Sequence, residues 1–238
     1  MSQEMIIAFL TLSAMEIVLG IDNIVFITIL CGKLPEKQRA LGRNIGLGLA
    51  LALRIGLLFS VKWIMGLTEP LIHVLEKGFS GRDLILLGGG LFLMAKATFE
   101  IHHKLEETQD PEVVSGAKKV KAQFASILFQ ILILDLVFSL DSVITAVGMV
   151  SDVGIMIGAM TLAMVVMMLS AKSIGSFVEK HPTVKMLALS FLILIGFMLM
   201  LEGVGKHIDK GYIYFAMAFS LGVELLNMKF RAAKKIKH

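Results

Sequence analysis

Apolar residues in this chain of 238 gather into long runs, without the alternation that marks a half-buried strand. Seven runs stand out, at about 5–31, 44–66, 82–100, 123–149, 153–174, 184–203 and 211–228, each long enough to cross a hydrocarbon core ~30 Å thick. The pattern therefore predicts an all-α polytopic membrane protein, a single transmembrane domain over 1–238. Only one polar connector is long, "HHKLEETQDPEVVSGAKKVKA" at about 101–122, a charged stretch holding Pro111 that reads as a solvated linker.

Composition agrees, since 18% of the residues are charged against about 25% in a soluble domain. The basic residues settle an orientation. Lys33, Lys37, Arg39 and Arg43 follow the first run, and Lys104, Lys118, Lys119 and Lys121 lie in the linker. Lys180 and Lys185 follow the fifth run, and Lys229, Arg231, Lys234, Lys235 and Lys237 the seventh, whereas the alternate loops offer Lys77, Arg82, Lys206 and Lys210. Positive loops stay cytoplasmic, so the N-terminus is expected outside and the C-terminus inside. "MSQEM" lacks the basic start of a signal peptide, so the first helix is expected to be retained. Cys31 is the single cysteine, which excludes an internal disulfide and a cysteine-built zinc site. Basic charge spread over loops gives no reason to expect nucleic acid as a partner.

The first run carries an oddity. "EIVLGIDNIVF", residues 16–26, puts Glu16 and Asp22 in mid-membrane, where a charge costs at least ~2.5–3.5 kcal/mol. The fourth run repeats it as "DLVFSLDSVITA", residues 135–146: Glu16 aligns with Asp135, Gly20 with Ser139, Asp22 with Asp141 and Asn23 with Ser142. Gly42 and Gly46 in the second run match Gly154 and Gly158 in the fifth, both at the small-xxx-small spacing of close-packed helices. Gly90-Leu-Phe-Leu-Met in the third parallels Gly196-Phe-Met-Leu-Met in the sixth. Runs 1–3 (about 5–100) and 4–6 (about 123–203) thus read as two copies of one unit, with the seventh helix outside the repeat. An odd number of spans inverts the second copy, the plan of many secondary transporters with midplane sites at the repeat interface.

Inversion brings the first and fourth helices together antiparallel and predicts one polar cavity lined by Glu16, Asp22, Asp135 and Asp141, with Asn23 and Ser142 adding neutral oxygens. On a regular helix six residues turn ~600°, leaving Glu16 and Asp22 ~120° apart in projection and ~9 Å apart along the axis. They converge on one ion only where the helix unwinds, and Gly20 is the place offered for that. Oxygen donors without thiolate or imidazole suit a hard divalent cation, Mn²⁺, Ca²⁺ or Mg²⁺ before Zn²⁺ or Cu⁺. Methionine sulfur from the walls would shade the preference toward Mn²⁺ over Mg²⁺. The other chemistry-bearing residues have plainer readings. Arg54, in mid-span without a matching base in the fifth run, is expected to neutralise a carboxylate, and Lys96 to snorkel to the interface. Glu202 and Glu224 divide between interfacial caps and gates, and Asn227 is structural. His73, His102, His103, His181 and His207 are solvated, "MTLAMVVMML" is bundle core, and "LLGGGLF" is a packing surface with no strand before it.

"EIVLGIDNIVF" with "DLVFSLDSVITAVGM", then "AKSIGSFVEKHPTVKMLALSFLILIGFMLMLEG" and "KGYIYFAMAFSLGVELLN", resembles the TerC family of bacterial membrane proteins, in its YgdQ-like subgroup without soluble domains. The resemblance covers nearly the entire chain. It implies seven spans, relation to the LysE transporter superfamily and a role in divalent metal homeostasis, chiefly Mn²⁺ efflux across the inner membrane. The family's acidic positions carry over to Glu16, Asp22, Asn23, Asp135 and Asp141. The expected function is a secondary transporter exporting Mn²⁺. Four carboxylates in one cavity repel one another, so protons would replace the departing metal. The alternatives are a transporter of Ca²⁺ or another cation, and a non-transporting membrane partner that hands metal to exported proteins or scaffolds other membrane proteins. No nucleophile–base pair or cofactor motif occurs, so neither an enzyme nor a tightly bound cofactor is expected, and homo-oligomerisation is left open.

Overall fold

A computed structural model describes residues 3–60, 70–74, 77–106, 117–150 and 152–235 of the chain. Among them are seven helices long and apolar enough to cross a membrane. They are α1 (Gln3–Cys31), α2 (Glu36–Phe59), α3 (Gly81–Glu106), α4 (Ala117–Met149), α5 (Val153–Lys180), α6 (Pro182–Gly203) and α7 (Lys210–Lys235). A short antiparallel hairpin, β1 (Pro70–Val74) with β2 (Lys77–Ser80), leads into α3 and pairs Val74 with Lys77. The middle of the expected linker, residues 107–116, and the expected end of the second span beyond 60 lie outside the described residues.

Helix ends follow local chemistry. Ser80 and Asp83 cap α3 reciprocally: the Asp83 carboxylate accepts from the Ser80 backbone N–H at 2.9 Å, and the Asp83 N–H donates to the Ser80 hydroxyl at 3.2 Å. Asp152 caps α5 through the Gly154 and Ile155 N–H groups. Pro182 occupies the first turn of α6, where its missing N–H costs nothing. At the other end of α6, Gly205 takes a left-handed φ of 73° while Lys206 N–H bonds Leu201 O and Gly205 N–H bonds Glu202 O, a Schellman stop. The start of α2 corrects the sequence expectation of about 44. The helix begins at Glu36, because "EKQRALGR" is helical but too charged to register as a span.

Packing runs across the two halves of the chain. The most extensive contact is α3 on α6, followed by α1 on α5 and α2 on α4; α1 also touches α4 and α6, α3 touches α4, and α2 touches α5. Exchanging α1, α2 and α3 for α4, α5 and α6 maps this set of cross-half contacts onto itself. Glycines make the closest seams. A Cβ on Gly90 would lie 2.5 Å from the Gly196 carbonyl oxygen, and one on Gly196 2.7 Å from that of Gly90, so at this point backbone meets backbone. The apolar core falls into two clusters. One holds Ile24 to Leu30, Leu47, Ala50 and Ile127 to Leu134; the other holds Leu12, Leu58, Val143, Ala146 and Met160. Along α1, α2 and α4 the polar residues Glu16, Arg54 and Ser139 fall between members of the two clusters. By contrast α7 packs chiefly on α6 and leaves most of its side chains exposed, as a lipid-facing helix would.

Candidate cation site

The duplicated motif does not unwind. α1 is continuous through Gly20 and α4 through Ser139, so the expectation of a broken helix at Gly20 is corrected. Gly20 serves packing instead: a Cβ there would run into the Met167 sulfur of α5. α4 likewise runs on through Ser139, whose buried hydroxyl donates back to the Asp135 carbonyl four residues earlier. Because both helices stay regular, their carbonyls remain bonded within the helix and are not free as ligands. The carboxylates six residues apart therefore keep their angular separation and face different surroundings.

The two acids nearer the start of each motif meet one base. Arg54, 3% exposed on α2, places Nη1 2.6 Å from Glu16 Oε2 and Nη2 2.7 Å from Asp135 Oδ1. Its Nε adds a second bond to Asp135 Oδ1 at 3.2 Å. Asn23 donates to the same oxygen at 3.5 Å, a long contact. The expectation that Arg54 neutralises a carboxylate is met twice over, with one acid from each copy of the motif.

The two acids nearer the end of each motif line a cavity. Asp22 and Asn23 from α1, Asp141 and Ser142 from α4, and Tyr214 from α7 surround it, with Arg54 on one wall and Ile195, Met198 and Leu199 of α6 supplying apolar surface. Its water-accessible volume of about 40 Å³ accommodates a small ion with a water or two and excludes an organic solute. Half-buried Asp22 has no hydrogen bond or ion pair among the described residues. Asp141 is paired: Arg82 Nη2 lies 2.8 Å from its Oδ1 and 2.9 Å from Glu202 Oε1. Of the six expected donors, Asp22, Asn23, Asp141 and Ser142 thus share the cavity, while Glu16 and Asp135 turn to Arg54. Glu16 also borders a second, apolar cavity with Ser142, Thr145 and Tyr214. Among the described residues no three His, Cys, Asp or Glu side chains come together as a metal cage.

Three residues at the site, Arg82, Glu202 and Tyr214, stand where hydropathy and loop charge alone do not place them. By sequence Arg82 counts as a loop charge, yet it stands in the first turn of α3 and reaches Asp141. A basic residue at a helix N-terminus opposes the helix dipole, and that was the available signal. Glu202, weighed as a cap or a gate, bonds the same arginine. Tyr214 carried no signal, since a tyrosine near the start of a span ordinarily marks the interface. Among the histidines, His102 pairs with Glu106 at 3.0 Å, and His181 joins α5 to α6 with Nδ1 2.8 Å from Phe177 O.

The family model described as "Integral membrane protein TerC family" matches residues 1–237. A UPF0053 protein of Haemophilus influenzae is 54% identical over 229 residues, covering 96% of this chain and 95% of that one. The UPF0053 inner membrane protein YgdQ of Escherichia coli K12 is 52% identical over 218 residues, covering 92% and 90%. The inner membrane protein YoaE of the same strain is 53% identical over 218 residues, which are 92% of this chain and 42% of YoaE. In that protein the unit is one part of a longer chain. No solved structure matches.

Proposed function

The chain belongs to the TerC family of integral membrane proteins, and from that premise we propose that it carries a divalent cation, Mn²⁺ foremost, out of the cytoplasm through the cavity between α1 and α4. The observation that carries this reading is the lining of that cavity. Matching positions of the two motif copies contribute one carboxylate and one neutral oxygen each, Asp22 with Asn23 and Asp141 with Ser142, and among the described residues no cysteine sulfur or histidine imidazole joins them. Two carboxylates balance a divalent charge, and hard oxygen donors favour Mn²⁺, Ca²⁺ or Mg²⁺. A transported ion must also leave, so two carboxylates with neutral oxygens suit release better than a cage of four acids would. The cross-half packing, invariant under exchange of α1–α3 with α4–α6, supports an inverted repeat, and Gly90 against Gly196 would lie at its pseudo-twofold axis. Proton exchange would compensate the carboxylates on the return step.

The decisive measurement is cation flux in proteoliposomes holding the purified chain, comparing Mn²⁺, Ca²⁺, Mg²⁺ and Zn²⁺. Movement of Mn²⁺ ahead of Zn²⁺, with counter-movement of protons, is the expected result. Binding without flux would instead favour the metal-delivering partner, and neither binding nor flux would end the cation reading. The relatives named as inner membrane proteins support that location. With the loop charges distributed as they are, a reporter fused after His238 should read cytoplasmic and one inserted near Gly78 external. Both reporters on the same side would contradict the seven-span topology.

A further inference from the structure

Arg54 and Arg82 both pair with carboxylates of the duplicated motif, but they are held in different ways. Arg54 engages its partners through Nε, Nη1 and Nη2, and its side chain is 3% exposed. Arg82 bonds through Nη2 alone, which Asp141 and Glu202 share, and its side chain is 23% exposed. Its Nε is buried and has no hydrogen-bond partner among the described residues. A guanidinium fixed for structure satisfies its fork of donors, as Arg54 does. Arg82 does not.

The backbone around Arg82 is well anchored. The Ser80–Asp83 cap holds the start of α3, and Gly203 lets the end of α6 come against it, since a Cβ there would lie 2.8 Å from the Asp83 carbonyl oxygen. The Schellman stop then fixes where Glu202 stands. What remains free to change is the side chain of Arg82, poised between an acid that lines the cavity and one at the helix end.

We propose that Arg82 is a tethered competitor of the transported cation: it occupies Asp141 while the cavity is empty, and yields that carboxylate to the metal by withdrawing onto Glu202. The inference rests on the cation reading above and adds the residue that sets affinity and couples metal entry to a side-chain movement. An arginine stays charged in proteins, so it cannot relieve its repulsion of an incoming divalent ion by losing a proton. It has to move. Glu202 gives it somewhere to go, and the shared Nη2 means the move breaks one contact and keeps the other. Asp22, the motif mate of Asp141, has no such partner among the described residues and is the carboxylate a cation meets open.

Mn²⁺ binding to the detergent-solubilised full chain, followed by titration calorimetry, tests this with two substitutions of opposite sign. Arg82→Gln removes the competitor and should tighten Mn²⁺ binding by about tenfold or more, the weight of one charge-assisted hydrogen bond. Glu202→Gln removes the resting place, leaves Arg82 to Asp141 alone, and should weaken binding by a similar factor. A merely structural Arg82 predicts weaker binding in both variants through a loosened bundle. Either variant binding like the wild type, or both shifting the same way, overturns the proposal. Should Arg82→Gln fail to fold, Arg82→Lys takes its place: a point charge without the planar fork holds Asp141 less firmly, so Mn²⁺ binding should tighten, and unchanged or weaker binding overturns the proposal. Should the wild type bind none of Mn²⁺, Ca²⁺, Mg²⁺ and Zn²⁺, the cation reading itself has failed and the competitor falls with it; wild-type binding with unshifted variants fails the competitor only.

Discussion

Replacing Asp22 with asparagine should abolish cation movement in proteoliposomes while leaving the metal-free protein as stable as the wild type or more so. The substitution keeps the shape of the side chain and removes a charge that has no hydrogen bond or ion pair among the described residues. A carboxylate in a partly apolar intramembrane cavity is costly without a counter-charge. The metal-free variant is relieved of that cost, whereas the metal-bound one loses a ligand worth about 1.5–3 kcal/mol, some ten- to hundredfold in affinity. Thermal melts with and without Mn²⁺ separate the two effects. Mass action should raise the wild-type Tm, by an amount equivalent to ~2.7 kcal/mol at a hundred times the Kd, and raise the Asp22→Asn protein at the same Mn²⁺ concentration by only about 0.4–1.4 kcal/mol. Asp141→Asn should also stop transport but cost some stability, because it takes a partner from Arg82. A sharp fall in the metal-free Tm of Asp22→Asn, with a wild type indifferent to Mn²⁺, would mark the carboxylate as scaffolding.

Arg54→Met is expected to be the most damaging single change in the bundle. Methionine fills much of the same volume, but Glu16 and Asp135 would be left buried at 3% and 4% exposure without a base. Breaking a buried ion pair by removing one member costs about 3–5 kcal/mol, much of a domain's total stability. Little folded protein should be recovered from membranes. Recovery should return in the triple variant Glu16→Gln, Asp135→Asn, Arg54→Met, because the penalty lies in the stranded charges and not in the lost contacts, so the changes are far from additive. Size-exclusion profiles and melts of the three proteins check this. An Arg54→Met protein that melts like the wild type would show that the ion pairs contribute nothing.

The spans were legible because hydrocarbon thickness imposes a length that periodicity cannot hide. The misplaced start of α2 was not, since helix propensity continues into the charged interface while hydropathy does not. Within the candidate site, the repeated motif pointed to four acids, of which two line the cavity and two pair with Arg54, and the mid-span position of Arg54 pointed to that pairing. The division of those acids between a base and a cavity was already implicit in their ~120° offset on a regular helix. It was obscured by reading Gly20 as a break. A glycine in a transmembrane helix serves close packing or unwinding with the same letter, and only the neighbouring Met167 decides which. Arg82 stayed hidden for a similar reason: a charge at a helix end looks like topology until the opposite helix end, Glu202, is placed beside it.

One further consequence follows from the single base at the centre. Arg54 serves an acid from each copy of the motif, and the position that corresponds to it in α5, by the register of Gly42 with Gly154 and Gly46 with Gly158, is Val166. Two faithful copies would have brought either two guanidiniums to that spot or none. In the first case two like charges would crowd one pair of acids, and in the second both acids would lie bare. The likeness between the two motif stretches therefore does not extend to the residue that balances their charge. That balance belongs to the joined chain: neither half carries it alone, and an assembly of two first halves could not reproduce it.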